Sequence, residues 1–406
     1  MIDPSIGYGE QLRSRADALA TICVHGGDIP GDDGALDPPI VMASAFAFAS
    51  AEHAARAFRG EEDAWIYGRW GNPTVGALET KLAAIEGAEA ACAAASGMAA
   101  IAGVVLSTCV AGDHVVAPRS MYAESARLYR ERLPRLGIAT TFVEGTPEAY
   151  AAAIGPKTRL VHVETPSNPT LGIVDIEGVA KVAHAAGAIV VVDGTFATPF
   201  AQTPLAHGAD LVVHSMTKGI GGHGDVIGGA ILGPKDRVNA AREVVVKGFG
   251  GVLSPFSAWL IARGLRTFAL RQERACATAA SLAAHLAAHP RVRVVHHPSL
   301  RTHPRHALAQ RQMHAYGALL SFELHGDLEH GRRVLEALRV ATHAVSLGDV
   351  RTLVVHPAST THSTMSADER RAAGIDDALL RVSCGLEAIV DLVSDLDQAI
   401  AASDRG

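Results

Sequence analysis

The chain has 406 residues, 48% hydrophobic and only 19% charged, which describes a well-buried protein too long for one ordinary core, so two domains are expected. Its net charge of −6, without a basic stripe, argues against a nucleic-acid partner. No leader and no bilayer-spanning apolar run is read in it, and its five cysteines (Cys23, Cys92, Cys109, Cys276, Cys384) lack any Cys-x-x-Cys pattern, so a cytoplasmic protein with reduced thiols and no membrane partner is expected.

Residues 1–60 lack a steady period and carry a loop-like stretch from Gly26 to Gly34, followed by Asp37-Pro38-Pro39. They read as an arm that packs on a neighbour. From Thr74, read as an N-cap, Val75, Leu78, Leu82 and Ile85 recur at helical spacing until Gly87 stops the helix. Ala95-Ser96-Gly97-Met98 then follows a short apolar piece and opens another helix. Onward to Gly233, strand-length runs alternate with helical segments: His114 to Ala117, Leu160 to Val163, Ile189 to Val192 and Leu211 to Val213. The alternation predicts an α/β fold over residues 61–255, a mostly parallel sheet covered on both faces. Near Leu253-Ser254-Pro255 a long helical stretch begins and runs through Trp259, Leu265, Leu270 and Leu286. The strand-like Ala318 to Leu324 follows, so a smaller α+β domain is expected over residues 256–406. His296, His297, His303 and His306 lie among Pro298, Pro304 and arginines with no carboxylate at ligand spacing. They read as surface histidines, and no metal site is expected.

Two of the buried runs end in chemistry. Ala188 to Val192 closes on Asp193, and Leu211 to Val213 leads through His214-Ser215-Met216-Thr217 to Lys218. A lysine closing an apolar strand is partly desolvated, which lowers its pKa and frees the amine as a nucleophile. An aspartate and a lysine at strand ends are what pyridoxal 5'-phosphate (PLP) needs: the carboxylate keeps the pyridine nitrogen protonated, and the amine links covalently to the cofactor. Ser215 and Thr217 offer hydroxyls for the phosphate. The helix start at Gly97 offers free N–H groups and close backbone approach. Tyr122 lies just after the His114 run, where its ring can stack on the pyridine. Gly219-Ile220-Gly221-Gly222-His223-Gly224 matches the dinucleotide fingerprint literally, but a strand-like run from Val226 follows where that motif needs a helix. A nicotinamide dehydrogenase and a non-catalytic binding protein are the rival readings.

Together these motifs resemble the Cys/Met-metabolism (trans-sulfuration) family of PLP-dependent enzymes, whose members include methionine γ-lyase, cystathionine γ-lyase, cystathionine γ-synthase and the O-acylhomoserine sulfhydrylases. The resemblance runs from Val24-His25-Gly26-Gly27 through Tyr67-Gly68-Arg69, Asn72-Pro73-Thr74, Glu164-Thr165-Pro166-Ser167-Asn168-Pro169 and Lys218 to Arg381-Val382-Ser383-Cys384-Gly385. It implies PLP fold type I, the aspartate-aminotransferase-like architecture, in a homotetramer built as a dimer of dimers with shared active sites. It implies that Tyr67 and Arg69 reach the phosphate of a neighbouring subunit, while Gly97, Met98, Ser215 and Thr217 hold it from their own. Tyr122 would stack on the ring and assist proton movement, Asp193 would pair with the pyridine nitrogen, and Asn168 would bond the ring oxygen. Arg381 would clamp the substrate carboxylate with Ser346, and Thr195 and Glu164 would support them.

The implied activity is γ-elimination from a methionine-, cystathionine- or homoserine-derived amino acid, giving a 2-oxo acid and ammonia, with γ-replacement as the alternative. Both share every step up to a branch, so the catalytic core does not separate them. Gly194, Met216 and Gly219 depart from the family pattern without removing a group the chemistry needs. Glu124 and Arg351 stand at positions that differ between subfamilies. They are candidates for reading the substrate's distal group, or else they are solvated or paired with one another.

Overall fold

Seven strands assemble side by side in the computed structural model, which describes residues 1–3, 5–28, 34–363, 365–372 and 374–403. In chain order they are β1 (Ala90–Ala94), β2 (His114–Pro118), β3 (Ala139–Val143), β4 (Thr158–Glu164), β5 (Ile189–Asp193), β6 (Leu211–Ser215) and β7 (Gly229–Gly233). Their order in the sheet is β1-β7-β6-β5-β4-β2-β3. The pairs from β6 across to β3 are parallel, and β7 runs antiparallel to both its neighbours. A parallel sheet needs cover on both faces, and accordingly Leu160, Val161, Val163, Val190, Val192 and Val212 are fully buried. Glu164 stands opposite Asp193, and Asp193 opposite Val213, so three strands end together. Ligands of open α/β sheets bind at such carboxyl ends.

A second sheet holds β8 (Val292–His296), β9 (Leu319–Leu324), β10 (Thr342–His343), β11 (Leu353–Val355) and β12 (Leu379–Ser383), in the order β10-β11-β12-β9-β8. It is antiparallel except for the β10–β11 pair. The long helical stretch is two helices, Pro255–Leu265 and Phe268–Ala287. The second joins the two cores: Phe268 to Cys276 pack under the large sheet, and Ala279 to Leu286 under the small one.

Three expectations need correction. The arm is not irregular throughout: α1 (Tyr8–His25) sets Leu12, Ala16, Leu19 and Cys23 on one buried stripe against the Phe268–Ala287 helix, and α2 (Ala51–Phe58) follows. The centre of the expected loop, residues 29–33, lies outside the described residues. The helix α3 (Pro73–Glu86) is capped by Asn72, not Thr74. The Asn72 side chain accepts from the Thr74 and Val75 N–H groups, while the Thr74 hydroxyl serves the arm, accepting from the Val41 N–H. Its C-terminal stop is Gly87, in the left-handed region at φ 74°. Third, His297 and His303 are not surface residues. His297 is fully buried with Nδ1 on the Ser299 hydroxyl, and His303 bonds the Leu171 carbonyl. His306 stacks on Tyr316 and His296 pairs with Glu323. All five cysteines are buried and free.

Candidate active site

The strand ends deliver the pair that the sequence singles out. Lys218 follows β6 by a tight turn, its N–H bonded to the Ser215 carbonyl, and its Nζ donates to the Ser346 hydroxyl at 3.1 Å. Burial lowers its pKa, and the nearby Arg381 guanidinium lowers it further. Asp193 closes β5 and is 8% exposed; its Oδ1 accepts from the Thr195 N–H at 3.0 Å. Burial pushes this carboxyl above its usual range, against the Thr195 bonds and His214, which hold it down. Thr195 also ties the two strands, its hydroxyl accepting from the Ser215 N–H at 2.9 Å.

The helix α4 (Gly97–Thr108) starts beside them. Ser96 caps it by accepting from the Ala99 N–H, and the N–H groups of Gly97 and Met98, in the first turn, have no acceptor within the helix. A Cβ on Gly97 would lie 2.9 Å from Cβ of Ser215, so the helix start and the Ser215 strand end form a tight cup. The Thr217 hydroxyl accepts from the Gly228 N–H and donates to its carbonyl, closing the glycine-rich turn. That turn leads to β7 and not to a helix, so the dinucleotide fingerprint lacks its structural context.

From the small sheet, β12 sends in Arg381, 5% exposed. Its Nη1 donates to Asn168 Oδ1 at 2.8 Å and its Nη2 to the Ser346 carbonyl at 3.2 Å, leaving Nε without a partner among the described residues. Burial pulls its pKa down to about 10, so it stays cationic at neutral pH. With the Asn168 oxygen taken, its amide nitrogen is the group left to face a ligand. Glu164, at the end of β4, accepts from the Tyr122 N–H at 2.7 Å and from the Asn168 N–H at 3.3 Å. Tyr122 stands immediately before α5 (Ala123–Arg127), with its side chain half-exposed.

An amine, a buried carboxylate in the next strand, an N-terminal helix cup that tolerates no Cβ, and a buried guanidinium with an orphaned Nε fit PLP joined to an amino acid. Among the described residues, none of Tyr67, Arg69, Glu124 and Arg351 makes a hydrogen bond or ion pair to this set. Tyr67 is exposed, and Arg69 lies over its ring at 5.6 Å while donating to the Lys247 carbonyl. Arg351 pairs with Asp349 at 3.0 Å and Glu124 with Arg127 at 3.8 Å, both pairs on exposed side chains at one end or both; they do not pair with one another. Two contributors have no role of their own in the sequence analysis. The Phe196 ring lies 5.8 Å from the Arg381 guanidinium, and Gly348, at φ 73°, lets its loop press on Gly219 beside Lys218, where a Cβ would come within 2.3 Å of the Gly219 nitrogen. A glycine two residues after Ser346 was the available signal for the second.

A family model described as Cys/Met metabolism PLP-dependent enzyme matches residues 20–401. An L-methionine gamma-lyase of Fusobacterium nucleatum subsp. polymorphum is 44% identical over 96% of this chain and 99% of its own length. The L-methionine gamma-lyase of Pseudomonas putida is 42% identical over 95% and 98%, and an O-succinylhomoserine sulfhydrylase of Pseudomonas aeruginosa 40% over 95% and 96%. The crystal structure of metB from Corynebacterium glutamicum shares the fold with a TM-score of 0.89 at 37% identity, covering 94% of this chain and 97% of that one.

Proposed function

We propose, from the premise that this chain belongs to the Cys/Met metabolism family of PLP-dependent enzymes, that it eliminates the γ-substituent of methionine or a close analogue, releasing a 2-oxo acid, ammonia and a thiol. The observation that carries this is the shared grip on Ser346: Lys218 Nζ holds its hydroxyl and Arg381 Nη2 its carbonyl. A substrate whose carboxylate sits on Arg381 thus has its Cα beside the amine of Lys218.

When bound, PLP supplies an electron sink at the substrate's α-amine. Lys218, its pKa lowered by burial, is the general base that takes the α-proton. Tyr122 would give the departing γ sulfur its proton. Asp193 would hold the pyridine nitrogen, the amide of Asn168 would serve the ring oxygen, and Gly97, Met98, Ser215 and Thr217 would hold the phosphate. Arg381 and Ser346 orient the α-carboxylate, with Thr195 fixing the strand ends. Glu124 and Arg351 are assigned to the distal end of the substrate.

Tyr67 and Arg69 are assigned to the phosphate of a neighbouring subunit in a cytoplasmic homotetramer, a dimer of dimers. Exposed Met42, Trp65, Tyr67 and Phe249 support coverage of that region by a second copy. The same reading divides the chain into an arm (1–60), a PLP-binding domain (61–255) and a smaller domain (256–406). Sulfhydrylase relatives at 40% identity favour γ-replacement as the second reading. Assaying 2-oxo acid and ammonia from methionine, cystathionine and O-acetylhomoserine, with and without sulfide, tests both. Oxo acid from methionine without sulfide is expected; replacement product alone would favour the second.

A further inference from the structure

Glu164 is 4% exposed and has no part in the proton transfers assigned above. Its two oxygens are nonetheless fully employed, Oε2 by the Tyr122 N–H at 2.7 Å and Oε1 by the Asn168 N–H at 3.3 Å. In the adjacent strand Asp193 stands directly opposite it. These three neighbours are the residues assigned to the face, the ring oxygen and the nitrogen of the cofactor. We propose that Glu164 is a positioning residue that holds Tyr122 and Asn168 in one frame beside Asp193, a role that rests on the reading of the site as a PLP site.

The local packing says why such a frame is needed. Tyr122 is 46% exposed, so its ring has little packing to aim it, and its backbone anchor on Glu164 does the aiming. Asn168 passes the constraint onward, since its Oδ1 holds Arg381 Nη1 at 2.8 Å. A displaced Glu164 would therefore disturb the substrate-carboxylate clamp as well as the ring. Two buried carboxylates in facing register repel, and burial together with Asp193 holds the Glu164 carboxyl well above its usual range. A cation bound at Asp193 relieves that repulsion and strengthens both N–H bonds to Glu164, because bonds to an ionised acceptor are the stronger ones. Cofactor binding and loop order are thereby linked.

Glu164→Gln tests this without changing shape. One oxygen remains, while the new amide nitrogen faces a backbone N–H that then lacks an acceptor. In the cofactor-loaded protein we expect kcat for methionine to fall about 10- to 100-fold, with visible circular dichroism of the bound cofactor weakened. Backbone hydrogen exchange should accelerate in peptides covering Tyr122 and Asn168. Glu164→Ala, which removes both acceptors, should do at least as much if it folds. Wild-type kcat and wild-type dichroism in loaded Glu164→Gln overturn the proposal, whether or not the melting midpoint falls. A wild-type protein that never takes up PLP overturns the parent reading instead.

Discussion

Replacing Gly97 with alanine places a methyl group 2.9 Å from Cβ, 3.1 Å from Cα and 3.3 Å from Oγ of Ser215. Carbon atoms pack at about 3.5–4.0 Å, so the first turn of α4 and the end of β6 must part by about 0.6 Å or more. Ser215 yields poorly, because its N–H is bonded to Thr195 and its strand is paired with Gly229 of β7. Overpacking of this kind costs about 1–3 kcal/mol. The strain falls on the cup assigned to the phosphate, so the PLP dissociation constant should rise about 5- to 150-fold. Gly103→Ala is the control: it overpacks the middle of the same helix, 2.7 Å from Cγ1 of Val245, away from the cup. Titrating the cofactor-free proteins with PLP by visible absorbance, alongside their melting midpoints, separates the two. Gly97→Ala should lose affinity, while Gly103→Ala should lose stability and keep affinity. Equal affinity in all three proteins would refute the reasoning.

Arg381→Ala removes a charge-assisted grip on the substrate carboxylate and strands the Asn168 oxygen, so kcat/KM for methionine should fall about 10- to 150-fold; a loss under twofold contradicts the assignment. Inactive Arg69→Ala and Lys218→Ala chains, co-refolded, should regain activity in verified hybrids, and silent hybrids would end the shared-site proposal. Glu124→Gln and Arg351→Ala should each cost one class of γ-substituted substrate selectively, by roughly 1 kcal/mol or more in kcat/KM, while equal effects on neutral, anionic and cationic classes would mean that neither residue reads the distal group. His297 stays neutral in the fold because burial pulls its pKa from 6.5 down to about 4, whereas the unfolded chain takes up the proton. Stability is therefore lost as pH falls from about 6.5 toward 4, by about 2 kcal/mol at pH 5 from this residue, and urea midpoints of wild type and His297→Gln near pH 7 and pH 5 should show the variant losing less.

Asp193 was legible because it closes an uninterrupted apolar run and Lys218 because it follows another within a few residues, and the pattern of such runs also announced the parallel sheet. Arg381 was legible only through family resemblance: it comes from another sheet, and its partner Asn168 is 213 residues away in the chain. The histidines misled for the same reason. His303 sits in a Pro- and Arg-rich stretch, but what buries it includes Leu171, 132 residues earlier. The stripe of α1 was hidden by its composition, since Ala16 and Cys23 bury little apolar area and charged neighbours flatten the period. At Asn72-Pro73 the signal was present and passed over, as proline favours the first helical position and makes the residue before it the natural cap.

The site of cofactor attachment is the most direct test of Lys218 as the catalytic amine. Borohydride reduction of PLP-loaded protein, followed by digestion and mass spectrometry of the peptides, reads this directly, because reduction fixes a lysine–cofactor linkage as a stable amine. The expected result is a pyridoxyl phosphate mass on Lys218 alone, lost in Lys218→Ala. Label on a different lysine, or an unlabelled protein after loading, would contradict it.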